Sequence, residues 1–319
     1  MDSYKLIIRG FGEILRNSLK IFFKSGRLMP SIASVYLLLS TLFFLSNTFS
    51  ITPLISDLII KGTLLPTETP NGSDFAKLLS GIKEDIRIFI GVESAFFLAG
   101  SIVSLFSNTA IILVSAKSLC GKNLSLKELL SGVVRSWKRL FITSFYTALL
   151  GIGYTYFVTA LLFTVFVIAG FSVASILPIF IVLGIIALIL YLYLINVWYL
   201  ALVISVTEEN CYGIEALGKA GVLVKGHRLH GFALNFLYML LFFIVYPGFH
   251  MIKVKQSPGT PMVNGLFSIN SICLVNMFMF IAYTVLYFQC KKTHGEEIEL
   301  QDSIEYSKIP TKPLAQDIP

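Results

Sequence analysis

Long runs without a charged residue alternate with shorter amphipathic or polar segments along the whole chain. A helix of about 20 apolar residues crosses the hydrocarbon core of a bilayer. The pattern therefore predicts an all-α fold, a polytopic membrane helix bundle with six transmembrane helices and interfacial amphipathic helices. The predicted spans cover roughly 30–49, 89–114, 141–168, 176–204, 231–249 and 266–288.

Three amphipathic segments are too polar to cross the membrane. Residues 4–23 carry apolar side chains at helical spacing with basic ones opposite, which predicts a helix lying in the interface or packed on the bundle. Ser125 and Glu128 have the spacing of a capping box and predict a short helix over 124–137. The third segment, 212–227, is predicted to form a helix along the membrane surface between the fourth and fifth spans.

These segments predict a single integral membrane domain over residues 1–290. Its longest charge-free stretch, 140–206, exceeds one span, so a reversal is predicted at 170–175. Residues 291–319 contain many charges and three prolines and are predicted to form a disordered cytosolic tail.

The distribution of basic residues predicts the orientation. Of the 25 Lys and Arg residues, 19 lie on the side that holds both termini and 6 on the other. By the positive-inside rule, both termini are cytosolic. The glycosylation sequon at Asn71 then faces the lumen or the outside, whereas the sequon at Asn123 faces the cytosol. The membrane is expected to be the plasma membrane or an endomembrane.

Composition agrees with this class and excludes one kind of partner. The chain is 55% hydrophobic and only 13% charged, with a mean hydropathy of +0.80. Soluble domains carry about 25% charged residues. The formal charge of +7 does not indicate nucleic-acid binding, because the basic residues flank apolar runs, where lipid headgroups account for them.

Signals for catalysis are weak, and the sequence predicts no enzyme, no cofactor and no metal site. A hydrolase needs a nucleophile with a base, or a metal with its ligands. His227 and His230, with nearby carboxylates, are one conceivable site at the cytosolic surface. The dipole of the 212–227 helix explains the same arrangement, since Glu208, Glu209 and Glu215 lie towards its start and basic residues at its end.

A transporter or channel for a small solute is the alternative function. Ionisable groups inside spans usually mark a solute path, and Glu93 is the one candidate carboxylate. The remaining polar candidates are asparagines, for which hydrogen bonding between helices is favoured over cargo binding. They are Asn108, Asn196, Asn235 and Asn276.

Cysteines adjoin predicted spans on the cytosolic side. Cys290, followed by two lysines, is the best candidate for reversible acylation, and Cys120 and Cys211 have similar positions. A reduced buried thiol is the alternative at each position. The spacing of the four cysteines predicts neither a metal site nor a disulfide.

Lys219, Lys225 and Arg228 are candidates for contact with an anionic lipid surface. They lie in one of three basic segments on the cytosolic side of a bundle that is almost bare of charge. The sequence therefore predicts a non-enzymatic integral membrane protein that organises lipids or recruits a partner at the cytosolic face. The expected partners are membrane lipids and a protein at that face.

Several short motifs are spread over most of the chain. They are Val197–Val206, Glu208–Glu209, Gly213–Leu217, Leu223–Arg228, Ala116–Leu119, Trp137–Arg139 and Tyr287–His294. Together with the amphipathic N-terminus, they resemble those of a plant family of uncharacterised six-span transmembrane proteins. The resemblance implies the same six-span fold and supplies no catalytic residues. More distantly, the chain is similar to the membrane domain found beside some bacterial glycerophosphodiester phosphodiesterases, although it lacks a soluble phosphodiesterase domain.

Overall fold

The computed structural model describes residues 2–24, 28–65, 72–121, 124–168, 173–251 and 260–295. Within these ranges the chain is helical and contains no strand, which confirms the predicted all-α class. The helices are α1 (Asp2–Lys24), α2 (Leu28–Leu64), α3 (Ser73–Leu119), α4 (Leu126–Ile168), α5 (Val173–Thr207), α6 (Ile214–Leu223), α7 (Arg228–Met251) and α8 (Thr260–Thr293). A 3₁₀ turn, Val224–Gly226, joins α6 to α7.

Six of these helices, α2, α3, α4, α5, α7 and α8, are long and apolar enough to cross a membrane. Each contains one of the six predicted spans, so the chain is a multi-pass membrane protein. The helices are longer than the predicted spans. α3 has 47 residues, and at about 1.5 Å per residue it is more than twice as long as a hydrocarbon core of roughly 30 Å.

The helix predicted over 124–137 begins with the predicted capping box, but its predicted end near residue 137 is wrong. The Ser125 backbone N–H donates to Glu128 Oε2 at 3.0 Å, and the Glu128 N–H donates to Ser125 Oγ at 3.3 Å. The helix that begins there continues as α4 to Ile168. No proline interrupts residues 126–168, and a change from polar to apolar side chains does not break backbone hydrogen bonds.

In the segment between the first two spans, the described residues continue the helices, with α2 extending to Leu64 and α3 beginning at Ser73. The second half of α2 pairs with the first half of α3. Lys61 Nζ lies 2.7 Å from Asp85 Oδ2 and 3.1 Å from Asp57 Oδ2, which ties the two helices together. We call this end of the bundle the hairpin end.

The last helix, α8, forms the centre of the bundle and packs against α1, α2, α3, α5 and α7. Its residues 279–287 are buried almost without interruption. Tyr283 is fully buried and stacks on Tyr199 with ring centroids 4.9 Å apart. The Tyr283 hydroxyl donates to Asn235 Oδ1 at 2.6 Å, while Asn235 Nδ2 donates to the Leu192 carbonyl at 3.0 Å. These bonds join α5, α7 and α8.

The first helix packs on the bundle through one face. Ile14, Ser18 and Ile21 are buried, and α1 contacts α7 and α8. Arg16 and Lys20 are exposed on its other face. The helix therefore has both a bundle-packing face and a basic, solvent-accessible face, as its amphipathic pattern predicts.

Some predictions fall on residues that are not described. Asn71, Asn123, the reversal at 170–172 and residues 296–319 of the predicted tail lie outside the described ranges. The start of that tail was placed too early, because Lys291 to Thr293 still belong to α8.

Candidate functional site

A cluster of charged residues surrounds Glu208, directly after α5. Lys219 Nζ lies 3.0 Å from each Glu208 carboxylate oxygen. The Tyr287 hydroxyl donates to Glu208 Oε1 at 2.7 Å, and Lys291 Nζ lies 3.5 Å from the same oxygen. We call these four residues the Glu208 cluster. The cluster joins the end of α5 to α6 and to the end of α8, and this end of the bundle is called the polar end.

The cluster holds Glu208 in its ionised form although the side chain is largely buried. Burial raises the pKa of Glu208, but the hydrogen bonds from Tyr287 and Lys219, together with the positive charge of Lys219 and Lys291, outweigh burial. The pKa of Glu208 is therefore below its ordinary value. The side chain of Lys291 is only 8% exposed, so the loss of Glu208 would leave a buried cation without this carboxylate.

The α5–α6 connection is also fixed to α4. Arg139 Nη1 donates to the Glu208 carbonyl at 2.7 Å, and Arg135 Nη2 lies 3.0 Å from Glu209 Oε1. The Gly213 N–H donates to Thr143 Oγ1 at 2.8 Å. Gly213 has a φ of +64°, a conformation in which glycine is strongly favoured. These contacts explain why α6 begins at this position and lies against the bundle.

The predicted surface helix 212–227 is observed as α6 and the following 3₁₀ turn. Its buried residues, Ala216, Ala220 and Leu223, recur at helical spacing. Ile214 and Val222 do not pack on the bundle and are 64% and 54% exposed. These two side chains are therefore not part of the contact between α6 and the bundle.

The three predicted lipid-surface residues have different environments. Lys225 and Arg228 are exposed, and the Arg228 guanidinium lies 5.9 Å from the centre of the Tyr193 ring. Lys219 differs because its ammonium group binds both carboxylate oxygens of Glu208. The charge of Lys219 is therefore engaged in an internal ion pair, and its contact with lipid phosphates stays a prediction.

The histidines suggested for a metal or acid–base site lie apart from the Glu208 cluster. The rings of His227 and His230 are 5.3 Å apart, and His227 Nε2 lies 3.0 Å from Thr293 Oγ1. Burial, with smaller contributions from His230 and His294, lowers the pKa of His227. Among the described residues, no group of three or more His, Cys, Asp or Glu side chains could hold a metal ion.

Cys290 is placed unfavourably for acylation. Its side chain is fully buried, whereas Cys120 and Cys211 are of intermediate exposure. The nearby His294 Nδ1 lies 2.9 Å from the Cys290 carbonyl and so helps to cover this turn of α8. Acyl transfer to Cys290 would require local opening of α8 or its neighbours.

The second candidate site is a cleft between α2, α3 and α8 that contains Glu93. Asn47 Nδ2 lies 3.4 Å from Glu93 Oε2, so α2 and α3 meet at this carboxylate. The cleft has a volume of about 360 Å³. Its polar lining includes Tyr36, Ser40 and Ser104. We call it the Glu93 cleft.

The other intramembrane asparagines have unequal roles. Asn235 makes the predicted bonds between helices, whereas Asn108 Nδ2 donates within α3 to Ser104 Oγ at 3.3 Å. Asn196 is fully buried against Gly231, and neither of its side-chain polar atoms has a hydrogen-bond partner among the described residues. Asn276 lies close to the hydroxyl of Tyr36, which lines the cleft.

Sequence reasoning missed Tyr287 and Lys291 as partners of Glu208. The two residues lie one helical turn apart near the end of α8, so they share a face of that helix. This spacing was visible in the sequence. That Tyr287 bonds to Glu208, 79 positions earlier in the chain, was not visible in the sequence. This contact depends on how α5 and α8 pack.

Comparison with known proteins gives a family without a stated activity. No curated protein matches the chain, and no solved structure matches it. The resemblance to a plant family and to a phosphodiesterase-associated membrane domain stays a prediction. One family model matches residues 1–315, and the chain accordingly belongs to the family described as a domain of unknown function, DUF8558.

Proposed function

We propose that the protein is a non-enzymatic integral membrane protein that organises anionic lipids at the polar end of the bundle, on the cytosolic side. The observation that carries the proposal is the combination of exposed basic and exposed apolar side chains on α1 and around α6. Arg16 and Lys20 accompany Leu19 and Phe23, which are 46% and 76% exposed. The same combination recurs where Ile214 and Val222 accompany Lys225 and Arg228.

This arrangement is typical of helices that lie in the membrane interface. The apolar side chains enter the boundary of the acyl chains, and the long basic side chains reach the phosphates. Each such Lys or Arg contributes on the order of 1 kcal/mol near an anionic leaflet. Lys219 pairs with Glu208 within the bundle, so Lys225 and Arg228 are the exposed cations of this segment.

Lipid selectivity can be measured in nanodiscs that contain the full chain and spin-labelled phosphatidylserine or phosphatidylcholine. We expect a larger motionally restricted fraction for phosphatidylserine. Replacing Arg16, Lys20, Lys225 and Arg228 together by Gln should reduce this preference. Lys77→Gln is the matched control, since Lys77 is 77% exposed at the hairpin end.

Two results would contradict lipid organisation. One is equal restriction of the two lipids by the unmodified protein. The other is a phosphatidylserine preference that the fourfold variant keeps. If that variant instead loses a soluble partner in pull-down experiments while the lipid preference is absent, the polar end recruits a protein rather than lipid.

A transporter or channel for a small solute is the second candidate, favoured by the position of Glu93 in the bundle. Carboxylates within spans are costly and often line a substrate path. Proteoliposomes can be tested by stopped-flow light scattering with glycerol, urea and potassium acetate. Faster solute entry than in empty liposomes, lost in Glu93→Gln, would support transport. Equal rates for protein-containing and empty liposomes for all three solutes would count against it.

A further inference from the structure

We propose that the Glu93 cleft binds a long-chain amphiphile with a protonated amine head, which enters sideways from the bilayer and places its ammonium group against Glu93. The proposal is independent of lipid organisation at the polar end, because the cleft and the basic surface share no residue. The chemistry follows from the surroundings of the carboxylate, the lining of the cleft and its position among the spans.

Glu93 is a carboxylate that lacks a cation. Among the described residues no Lys or Arg lies within ion-pair distance of it, and its hydrogen bond comes from Asn47 at the long distance of 3.4 Å. A carboxylate can accept about four hydrogen bonds. Lys61, on the neighbouring helix, is engaged by Asp57 and Asp85. The acceptor capacity of Glu93 is therefore largely open towards the cleft.

Its position makes an uncompensated charge costly. Glu93 immediately precedes residues 94–116, which contain no charged side chain, and α2 opposite is uncharged over residues 28–56. The attraction between opposite charges is several times stronger at such a partly buried site than in water. A bound cation would compensate the carboxylate, whereas a neutral hydroxyl head would not.

The walls of the cleft suit a lipid-like molecule rather than a hydrated ion. Phe43, Phe44, Phe96 and Phe97 line it together with Val103 and Ile269. Aromatic faces attract organic ammonium groups, and the remaining wall is apolar surface for an alkyl chain. The volume of about 360 Å³ is within the usual range of roughly 300–1,000 Å³ for small-molecule sites.

A neighbouring cavity extends the apolar surface along α3. This second cavity, between α3 and α4, has a volume of about 540 Å³ and shares Phe96, Phe97, Gly100 and Ser104 with the Glu93 cleft. A Cβ atom added at Gly100 would meet no atom within 4 Å. An alkyl chain whose head is at Glu93 therefore finds open space over this part of α3.

The experiment uses a long-chain primary amine with a diazirine in its alkyl chain, and a matched alcohol with the same chain and diazirine. The full-length protein is reconstituted in phosphatidylcholine nanodiscs, irradiated with either probe, and digested for mass spectrometry. We expect the amine to label the segments around Phe43–Phe44 and Phe96–Phe97 at least several-fold more than the alcohol does.

The decisive variant is Glu93→Gln, which keeps the shape of the side chain and removes its charge. It should reduce amine labelling of these segments to the level of the alcohol. Glu84→Gln is the matched control, because Glu84 is exposed on the same helix outside the cleft. This variant should be labelled to the same extent as the unmodified protein. A second variant, Gly100→Phe, should reduce labelling by both probes, since it fills the cleft without altering Glu93.

Three outcomes would overturn the proposal. They are equal labelling by amine and alcohol in the unmodified protein, amine labelling that survives Glu93→Gln, and adducts spread over the lipid-facing surfaces of α4 and α5 rather than the cleft. None of these outcomes depends on phosphatidylserine, so the proposed amine site and the proposed lipid organisation can be refuted separately.

Discussion

The hydroxyl of Tyr287 donates a 2.7 Å hydrogen bond to Oε1 of Glu208. This bond connects the end of the fourth span to the end of the sixth. Because Lys219 binds the same carboxylate from α6, the three elements share one ion pair. The ends of α5 and α8 and the helix α6 are consequently held together at the polar end.

The first prediction concerns this cluster. Glu208→Gln should lower the free energy of unfolding by about 1.5–3 kcal/mol, the usual contribution of hydrogen bonds to a charged group. Tyr287→Phe should cost less, since it removes one bond and leaves both ammonium groups paired. Thermal unfolding in detergent measures both changes.

Glu209→Gln is the control for the cluster. Glu209 pairs with Arg135, whose side chain is 65% exposed, and exposed ion pairs contribute roughly 0–1 kcal/mol. If Glu209→Gln destabilised the protein as much as Glu208→Gln, the special role of the Glu208 cluster would be refuted.

The second prediction concerns pH. The pKa of His227 is lowered in the folded protein from its ordinary value of 6.5, so the unfolded chain takes up a proton first as the pH falls. Stability should therefore decrease as the pH falls below about 6.5 and should stop decreasing from this cause once the folded protein is also protonated.

The melting temperature measured between pH 8 and pH 5 tests this dependence. His227→Asn should flatten the curve over the upper part of the acid range, while Lys225→Gln, a nearby change at a group that stays charged throughout, should not. Glu208 affects stability at lower pH than His227. Because its pKa is lowered in the folded protein, its ionised form stabilises the fold until the pH falls through that lowered pKa. An unchanged curve for His227→Asn would rule out the histidine as the cause.

The third prediction concerns the close approach of α5 and α7. A Cβ atom on Gly231 would overlap the side-chain amide of Asn196. Gly231→Ala should therefore destabilise the bundle by roughly 1–3 kcal/mol, the range for overpacking. Adding Asn196→Ala should restore most of the loss, because it removes the overlapping group.

Gly221→Ala supplies a comparison of opposite sign. A Cβ atom there meets nothing within 4 Å, and alanine is favoured over glycine in a helix by about 1 kcal/mol. This variant should be slightly more stable than the unmodified protein. A Gly231→Ala variant with unchanged stability would show that the helices separate readily at this point.

The fourth prediction concerns the thiols. Under native conditions in detergent, a maleimide polymer reagent should modify Cys290 more slowly than Cys120 or Cys211, because only Cys290 of the three is fully buried. Single-cysteine variants and gel mobility measure the rates. Rapid modification of Cys290, or its acylation in cells at higher occupancy than the other two, would show that the end of α8 opens.

The fifth prediction concerns orientation. A reporter at either terminus should be cytosolic, and Asn71 should be glycosylated when the chain is inserted into microsomes, whereas Asn123 should not. Asn71→Gln should abolish the glycan. A glycan on Asn123 would show that the orientation is the reverse of the predicted one, with the Glu208 cluster on the outer side.

The sequence by itself determined the number of spans and the amphipathic helices, because both depend on local hydrophobic periodicity. It also determined the start of α4, since the capping box between Ser125 and Glu128 is a contact between residues three positions apart. It did not determine where the helices end relative to the membrane, as α4 shows by continuing past residue 137. Hydropathy changes at the bilayer surface, but a helix ends only where its backbone bonds stop.

The tertiary structure decided which charges are used inside the protein and which face outwards. Lys219, Lys225 and Arg228 are basic residues of one segment, and the sequence does not distinguish them. In the packed structure Lys219 binds Glu208, while the other two are exposed. It likewise decided that Cys290 is buried and that Glu93 opens into a cleft, where no Lys or Arg of the described ranges pairs with it. These properties depend on contacts between residues far apart in the chain, and the physical reason is that burial and pairing are set by neighbouring helices rather than by neighbours in sequence.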